Sequence, residues 1–186
     1  MIEIKFKKLS ENAIIPSYAH DGDVGLDLTA TWVEYNAKED EYIYGTGLAC
    51  ETEQIISMFA HPRSSIHKTD FYLTNSVGII DCKTYRGEIK VIFKYRDSLT
   101  QRITASAMEI YDNLPWYKKL KPGSFKNIKD KLLKEFHNNP FKNIPYQVGD
   151  RVCQIWLQEI TPVHITEVNE LSNTERGEGG FGSTGK

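Results

Sequence analysis

The hydrophobic period of this chain switches twice, and the double switch is the strongest limit on what it can fold into. From Met1 to about Tyr95, apolar residues come in short runs, "IEIKF", "GLDLTA", "EQIISMFA", "FYLTN", "VGII" and the alternating "EIKVIFKY", divided by Gly, Pro, Asn and Asp. Runs of this kind read as strands and the residues between them as turns. From about Ser98 to Pro145 the period lengthens. "ITASAMEIYDNL" and "SFKNIKDKLLKEFHNN" read as two helices joined by the turn-forming "KPGS", with Phe125, Ile128, Leu132 and Phe136 at helical spacing and Ser124 expected as N-cap. Strands are predicted again in "RVCQIWLQEI" and "VHITEV", whereas "SNTERGEGGFGSTGK" has almost no apolar surface with which to order itself. The predicted class is all-β with a small α-helical insertion and a flexible C-terminal arm. The divisions are 1–97 for the first part of the β core, 98–145 for the insertion, 146–171 for the second part and 172–186 for the arm.

Composition excludes several function classes. The 186 residues carry 23 basic and 25 acidic side chains, a net charge of −2, so no global field selects nucleic acid or an anionic membrane. Cys50, Cys82 and Cys153 are odd in number, far apart and without CxxC spacing, which argues for buried free thiols in a reducing compartment. "MIEIKFKKLS" alternates like a strand and lacks the apolar stretch of a secretion signal, and no run approaches the ~20 apolar residues of a membrane helix. The expected location is the cytoplasm, that of the host if the chain is phage-encoded. His20, His61, His67, His137 and His164 have no metal-ligand spacing.

Local features are more pointed. Between residues 118 and 142 eight Lys face only Asp130 and Glu135, with Trp116, Tyr117, Phe125, Phe136 and Phe141 in and around the run. Basic residues beside aromatics can mark a nucleic-acid surface. A solvated Lys face on a helix whose aromatics dock onto the core accounts better for the pattern, and no direct nucleic-acid contact is expected. Near the C-terminus "GFGSTGK" matches the opening of a phosphate-binding loop, but the Ser/Thr that should follow Lys is missing and the preceding segment is polar instead of a buried strand. Such a tail needs a scaffold from elsewhere.

In "HPRSSIHKTDFYLTNSVGIIDCKTYRGE", Arg63 offers a forked cation and Ser64 and Ser65 offer hydroxyls, a set suited to anionic oxygens. Asp81 follows the apolar "VGII", so it is expected at the end of a buried strand, where a carboxylate is costly unless paired or used. Asp is also common in turns. Tyr85, Arg86 and Gly87 turn the chain into the next strand, which gives a hairpin able to clasp a flat ligand.

"DVGLDLTA" (23–30), "PRSS" (62–65), "NSVGIIDCKTYRGE" (75–88), "GDRVCQ" (149–154) and "RGEGGFGSTG" (176–185) stand in the order of the five motifs of the trimeric dUTPases, which the chain resembles everywhere except in the insertion. The resemblance implies a distorted jelly roll, or β-clip barrel, assembled as a homotrimer with sites at subunit interfaces. It also implies Mg2+-dependent hydrolysis of dUTP to dUMP and pyrophosphate, which limits uracil in DNA and supplies dUMP for dTMP synthesis. By motif position, Asp81 would activate the attacking water. Asn75 and the backbone from Gly78 through Ile80 to Asp81 would read uracil, and Tyr85 would lie against the deoxyribose. Arg63, Ser64, Ser65 and Gln154 would contact phosphate, with Gln154 also holding water. Asp27 would reach the metal indirectly, through water. In the tail, Phe181 would stack on uracil and Arg176 would clamp the γ-phosphate, with Gly182, Ser183 and Thr184 wrapping the rest.

Three departures stand out. Asp81 and Tyr85 are one residue further apart than the family's usual D-x-x-Y, which should alter the hairpin. Val24 and Leu26 replace the more usual Ala and aromatic of motif one but leave Asp27 in place. About fifty residues separate motifs three and four. Some bacteriophage members carry such an insertion and bind repressor proteins, so a repressor-type partner is implied for it. A dCTP deaminase-like enzyme on the same fold and a dUTP-sensing regulatory protein are the competing classes. The "PRSS" motif and the full arm argue against the first, and Asp81, Gln154 and Arg176 against a role without catalysis.

Overall fold

The computed structural model describes residues 2–178; Met1 and residues 179–186 lie outside the described part. Ten strands form three antiparallel sheets: β1 Lys5–Lys8, β2 Leu26–Thr29, β3 Trp32–Asn36, β4 Glu41–Gly45, β5 Leu48–Glu51, β6 Ile56–Pro62, β7 Phe71–Leu73, β8 Gly78–Ile80, β9 Lys90–Tyr95 and β10 Arg151–Glu159. One sheet has the order β2-β10-β6-β8, a second β3-β4-β9-β7, and β1 pairs with β5. No closed barrel is formed by the described residues. The core between the sheets is built from Leu28, Tyr42, Tyr44, Met58, Phe71, Phe93, Val152 and Ile155, all at or below 1% exposure.

The expected strands are present except "VHITEV", which forms none and exposes Val163 and Ile165 at 79% and 87%. A strand needs a neighbour to satisfy its amides, and this segment has none within the described chain. Three strands escaped the sequence reading, β3, β4 and β5. Their signal was present in "EYIYG", where Tyr42 and Tyr44 alternate into the core.

The helical segment holds three helices: α1 Leu99–Asp112, α2 Trp116–Lys119 and α3 Ser124–Asn138. α1 begins earlier than its apolar periodicity suggested because Ser98 and Gln101 close a reciprocal capping box. Ser124 is not the N-cap of α3. Gly123 takes that position with φ of 75°, a left-handed conformation that favours glycine, and Ser124 Oγ bonds back to the carbonyls of Lys118 and Lys121.

A salt-bridged stack docks the helices on the core. Arg102 of α1 binds both Asp40 oxygens, at 2.9 and 3.1 Å, and lays its guanidinium over Tyr95 at 4.1 Å. Asp40 also accepts from Tyr35 Oη and from the Leu99 amide. On the return path Tyr42, Tyr95 and Tyr44 donate to the carbonyls of Pro140, Asn143 and Tyr146.

Candidate active site

Two clusters gather most of the residues singled out in the sequence. The first surrounds a cavity of about 340 Å³ walled by β7, β8 and β9, into which Asn75, Gly78, Ile80, Asp81 and Tyr85 all face, with Thr74 and Lys90 beside them. Gly78 lies so close to β6 that an added Cβ would sit 3.2 Å from that of Ala60. Asp81 is more exposed than expected, because β8 is not a buried strand: its middle residue, Ile79, is 65% exposed. Alternation on an outer strand, not a continuous apolar core strand, explains "VGII".

The extra residue between Asp81 and Tyr85 is absorbed locally. The amides of Thr84 and Tyr85 both donate to the Asp81 carbonyl, at 3.0 and 2.8 Å, so the turn widens by one residue and still returns the ring to the cavity. Tyr85 then lies over Gly87, where a Cβ would fall 2.3 Å from its hydroxyl, and donates to the Glu88 carbonyl at 3.1 Å. Glu88 had no assigned role. Its carboxylate accepts from Trp32 Nε1 at 2.9 Å and from the Gly47 amide at 2.8 Å, which pins the start of β9 to the β4–β5 turn.

The second cluster centres on Asp27 of β2, whose side chain is 9% exposed. One oxygen accepts from Arg63 Nε at 3.1 Å and the other from Arg151 Nη1 at 2.8 Å. Gln154 sits directly across the β2–β10 ladder from Asp27. Arg151 has no role in the sequence reading, and the reason is geometric. Residues 151 and 154 should point to opposite faces of a regular strand, but the ladder slips between Arg151 and Cys153. That bulge returns Arg151 to the face of Asp27 and Gln154. The Asp27 charge also helps burial push the Cys153 thiol up to about 12, with burial the larger cause. Ser64 and Ser65 open a short 3₁₀ turn, Ser64–Lys68, immediately after Arg63.

The two clusters remain apart within one chain: no residue of the Asp27 group lines the Asp81 cavity. Arg176 lies on an exposed bend and is not among the residues lining that cavity either. Phe181, Gly182, Ser183 and Thr184 lie outside the described residues. Among the described residues no group of three or more His, Cys, Asp or Glu could hold a metal ion, and no helix is long and apolar enough to cross a membrane.

A family model described as dUTPase matches residues 11–106 and 135–185 and leaves out a stretch inside the helical segment. The chain belongs to the dUTPase family. The deoxyuridine 5'-triphosphate nucleotidohydrolase of Clostridioides difficile is 30% identical over 186 residues, covering 100% of this chain and 99% of its own. The enzyme of the same name from Corynebacterium glutamicum is 31% identical over 98% of this chain and 95% of its own. The fold is shared with the dUTPase of Staphylococcus bacteriophage 80alpha solved with dUpNHpp, at 20% identity, a TM-score of 0.63 and 99% coverage of both chains. It is also shared with the dUTPase of phage phi11 of S. aureus, whose structure visualises a species-specific insert, at 16% identity, a TM-score of 0.57 and coverage of 92% of this chain and 99% of that one.

Proposed function

We propose that this protein hydrolyses dUTP to dUMP and pyrophosphate with Mg2+. The observation that carries the proposal is the single cavity shared by Asn75, Gly78, Ile80, Asp81 and Tyr85 in a chain of the dUTPase family. Gly78 brings bare backbone to the cavity wall, where a planar pyrimidine could approach closely, and a 5-methyl group there would be disfavoured, since overpacking costs about 1–3 kcal/mol. Tyr85, braced on Gly87 and Glu88, would close the space a 2'-hydroxyl needs. Asp81 takes a proton from a water as that water's oxygen bonds to the α-phosphorus and the bond to the pyrophosphate oxygen breaks. A general base of this kind contributes roughly 10²–10⁴ in rate.

Arg63 and Arg151 would meet phosphate oxygens, oriented by Asp27, with Gln154 beside them. Mg2+, when bound, neutralises charge on the triphosphate. It would be held by triphosphate oxygens and water, since Asp27 already accepts from two guanidiniums and has little left for a direct bond to the ion. Arg176, Phe181, Gly182, Ser183 and Thr184 would close over the nucleotide.

The separation of the two clusters favours assembly of each site from more than one chain. Exposed Val163, Ile165 and Leu171 on an extended segment support the same view, as does the half-exposed stack of Phe59 on Trp156, 5.0 Å apart on the outer face of the β6–β10 ladder. A homotrimer fits these features. Turnover of dUTP, dTTP, UTP and dCTP with Mg2+, with product identification, tests the activity. Pyrophosphate from dUTP alone is expected, and orthophosphate or equal turnover of dTTP would overturn it. Asp81→Asn should lower turnover at least a hundredfold while nucleotide binding persists.

A second role is favoured by one surface. Trp116, Tyr117 and Leu120 are 74%, 55% and 71% exposed beside Lys118, Lys119 and Lys121. An apolar patch rimmed by cations fits an acidic, repressor-type protein. The phage 80alpha structure is reported with a G protein-like mechanism controlling transfer of virulence genes, a property of that protein. Trp116→Ala with Leu120→Asp should abolish such capture and spare dUTP turnover. These point changes are cleaner than excision of residues 98–145, which would remove Ile144 from the core and break the contacts of Arg102 with Asp40 and Tyr95 and of Phe136 with Tyr35.

A further inference from the structure

Cys50 of β5 and Cys82, two residues beyond Ile80, bring their sulfurs to 3.7 Å. Both are buried, at 4% and 0% exposure. Cys82 is fixed in place: its carbonyl accepts from the Thr52 amide at 3.3 Å and from Arg86 Nη1 at 3.2 Å, and its own thiol donates to the Ile80 carbonyl at 3.4 Å. Cys50 forms part of the wall of an open cavity of about 430 Å³ together with Lys5, Lys7, Phe6, Glu51 and Arg86, so three cations face one acid there. Cys153, the third thiol, lies on β10 and is fully buried.

We propose that Cys50 and Cys82 form a thiol–disulfide exchange site, which accepts an anionic low-molecular-weight disulfide from the cationic cavity and keeps the oxidation as a Cys50–Cys82 bond beside Asp81. The hydrogen bond from Cys50 to Cys82 lowers the Cys82 thiol against the opposing effect of burial, and raises that of Cys50, with burial adding to the rise. Thiolate is the reactive species in exchange, and Cys82 is the stronger acid of the two, but access gives the first attack to Cys50, which lines the cavity, whereas Cys82, fully buried, does not. Cys50, at the cavity wall, loses its proton to water and attacks one sulfur of the small disulfide. A mixed disulfide forms and one small thiolate leaves, taking up that proton. Cys82 then attacks Cys50 Sγ, the protein disulfide closes, and the second small thiol departs with the proton from Cys82. Two electrons pass from the protein dithiol to the small disulfide, and no other reactant is required.

Closure draws the sulfurs from 3.7 Å to about 2.05 Å. Asp81 is covalently joined to Cys82, and its carbonyl holds the amide of Tyr85 at 2.8 Å, so both cavity residues are displaced with it. A misplacement of about 1 Å at a reacting group can cost ~10²-fold. The oxidised protein should therefore turn over dUTP roughly ten- to a hundredfold more slowly. This last effect rests on the function proposed above.

The test uses the full chain and glutathione disulfide. Expected are a fall from three titratable thiols per chain to one, an intact mass lower by two hydrogens, slowed dUTP turnover, and recovery of all three by dithiothreitol. Cys50→Ala should resist inhibition, with Cys50→Ser in its place if alanine fails to fold, and Cys153→Ala should respond like the unaltered protein. Retention of three thiols at saturating oxidant, a stable glutathione adduct without closure, inhibition of the Cys50 variants, or full activity of the closed disulfide would each overturn the proposal. If the reduced protein does not hydrolyse dUTP, the activity proposal fails while mass and thiol count still decide this one.

Discussion

Asp27 binds two guanidiniums, yet the two pairs should contribute unequally. Asp27 is 9% exposed and Arg63 24%, so their pair is poorly screened, whereas Arg151 is 51% exposed. A charge-assisted hydrogen bond is worth about 1.5–3 kcal/mol, and a solvent-exposed ion pair only about 0.2–1 kcal/mol. Double-mutant cycles with Asp27→Asn should give coupling of about 1.5–3 kcal/mol to Arg63→Ala and below about 1 kcal/mol to Arg151→Ala. Urea unfolding at fixed protein concentration reads both cycles, since an oligomer's stability depends on concentration. In 1 M salt, where the screening length is about 3 Å, the Arg151 coupling should vanish and most of the Arg63 coupling should survive. In the enzyme assay Asp27→Asn should raise KM about tenfold, a loss near 1.4 kcal/mol, with kcat and the Mg2+ requirement little changed, because the lost group orients phosphate ligands. Unchanged stability with a shifted Mg2+ requirement would refute this and place Asp27 in the metal's water shell instead. Equal couplings would refute the screening argument.

Three further outcomes follow from the geometry. Gly87→Ala puts a Cβ 2.3 Å from the Tyr85 hydroxyl, so the ring must swing away; preference for dUTP over UTP should fall roughly tenfold, at the cost of a net hydrogen bond worth about 1 kcal/mol, as read by competing-substrate kinetics. Arg102→Ala removes the Asp40 pair and the stack on Tyr95 and should cost about 2–3 kcal/mol, speeding hydrogen exchange in α1 while dUTP turnover stays within twofold. Burial, followed by the neighbouring Tyr95, pushes the Tyr42 phenol up to about 12, and Tyr35 and Tyr44 are raised as well. A raised folded value means stability that is complete below the unfolded value near 10 and is lost as pH climbs toward the folded one. Unfolding midpoints should therefore drop steeply above about pH 10, and less steeply in Tyr42→Phe; a flat profile from pH 9 to 12 would contradict the burial of these phenols.

What the sequence displayed and what it hid divide along the range of the interactions involved. Asn75, Gly78, Ile80, Asp81 and Tyr85 occupy eleven residues, and a hairpin brings such neighbours together almost unaided, so the hairpin itself was legible from the residues, and the motif resemblance named which of them share the cavity. The extra residue before Tyr85 looked disruptive, but widening of one turn absorbed it, since the Thr84 and Tyr85 amides together on the Asp81 carbonyl redirect the chain. Arg151 stayed hidden because its facing depends on a bulge, and a bulge is fixed by pairing with β2, more than 120 residues away in sequence. The Arg102–Asp40 stack was illegible for the same reason, and Asp40 itself occupies a left-handed turn, φ 52°, that no local pattern announced. "VHITEV" failed in the opposite direction. Val163 and Ile165 alternate as in a strand, yet the segment pairs with no strand of the described chain, so its β character is a demand that another chain can meet. In this protein local pattern therefore foretold the grouping of side chains at the cavity better than the architecture: the residues proposed for base, sugar and proton transfer lie close in sequence, while the Asp27, Arg63 and Arg151 charges and the contacts that seat the insertion are brought together only by the tertiary fold.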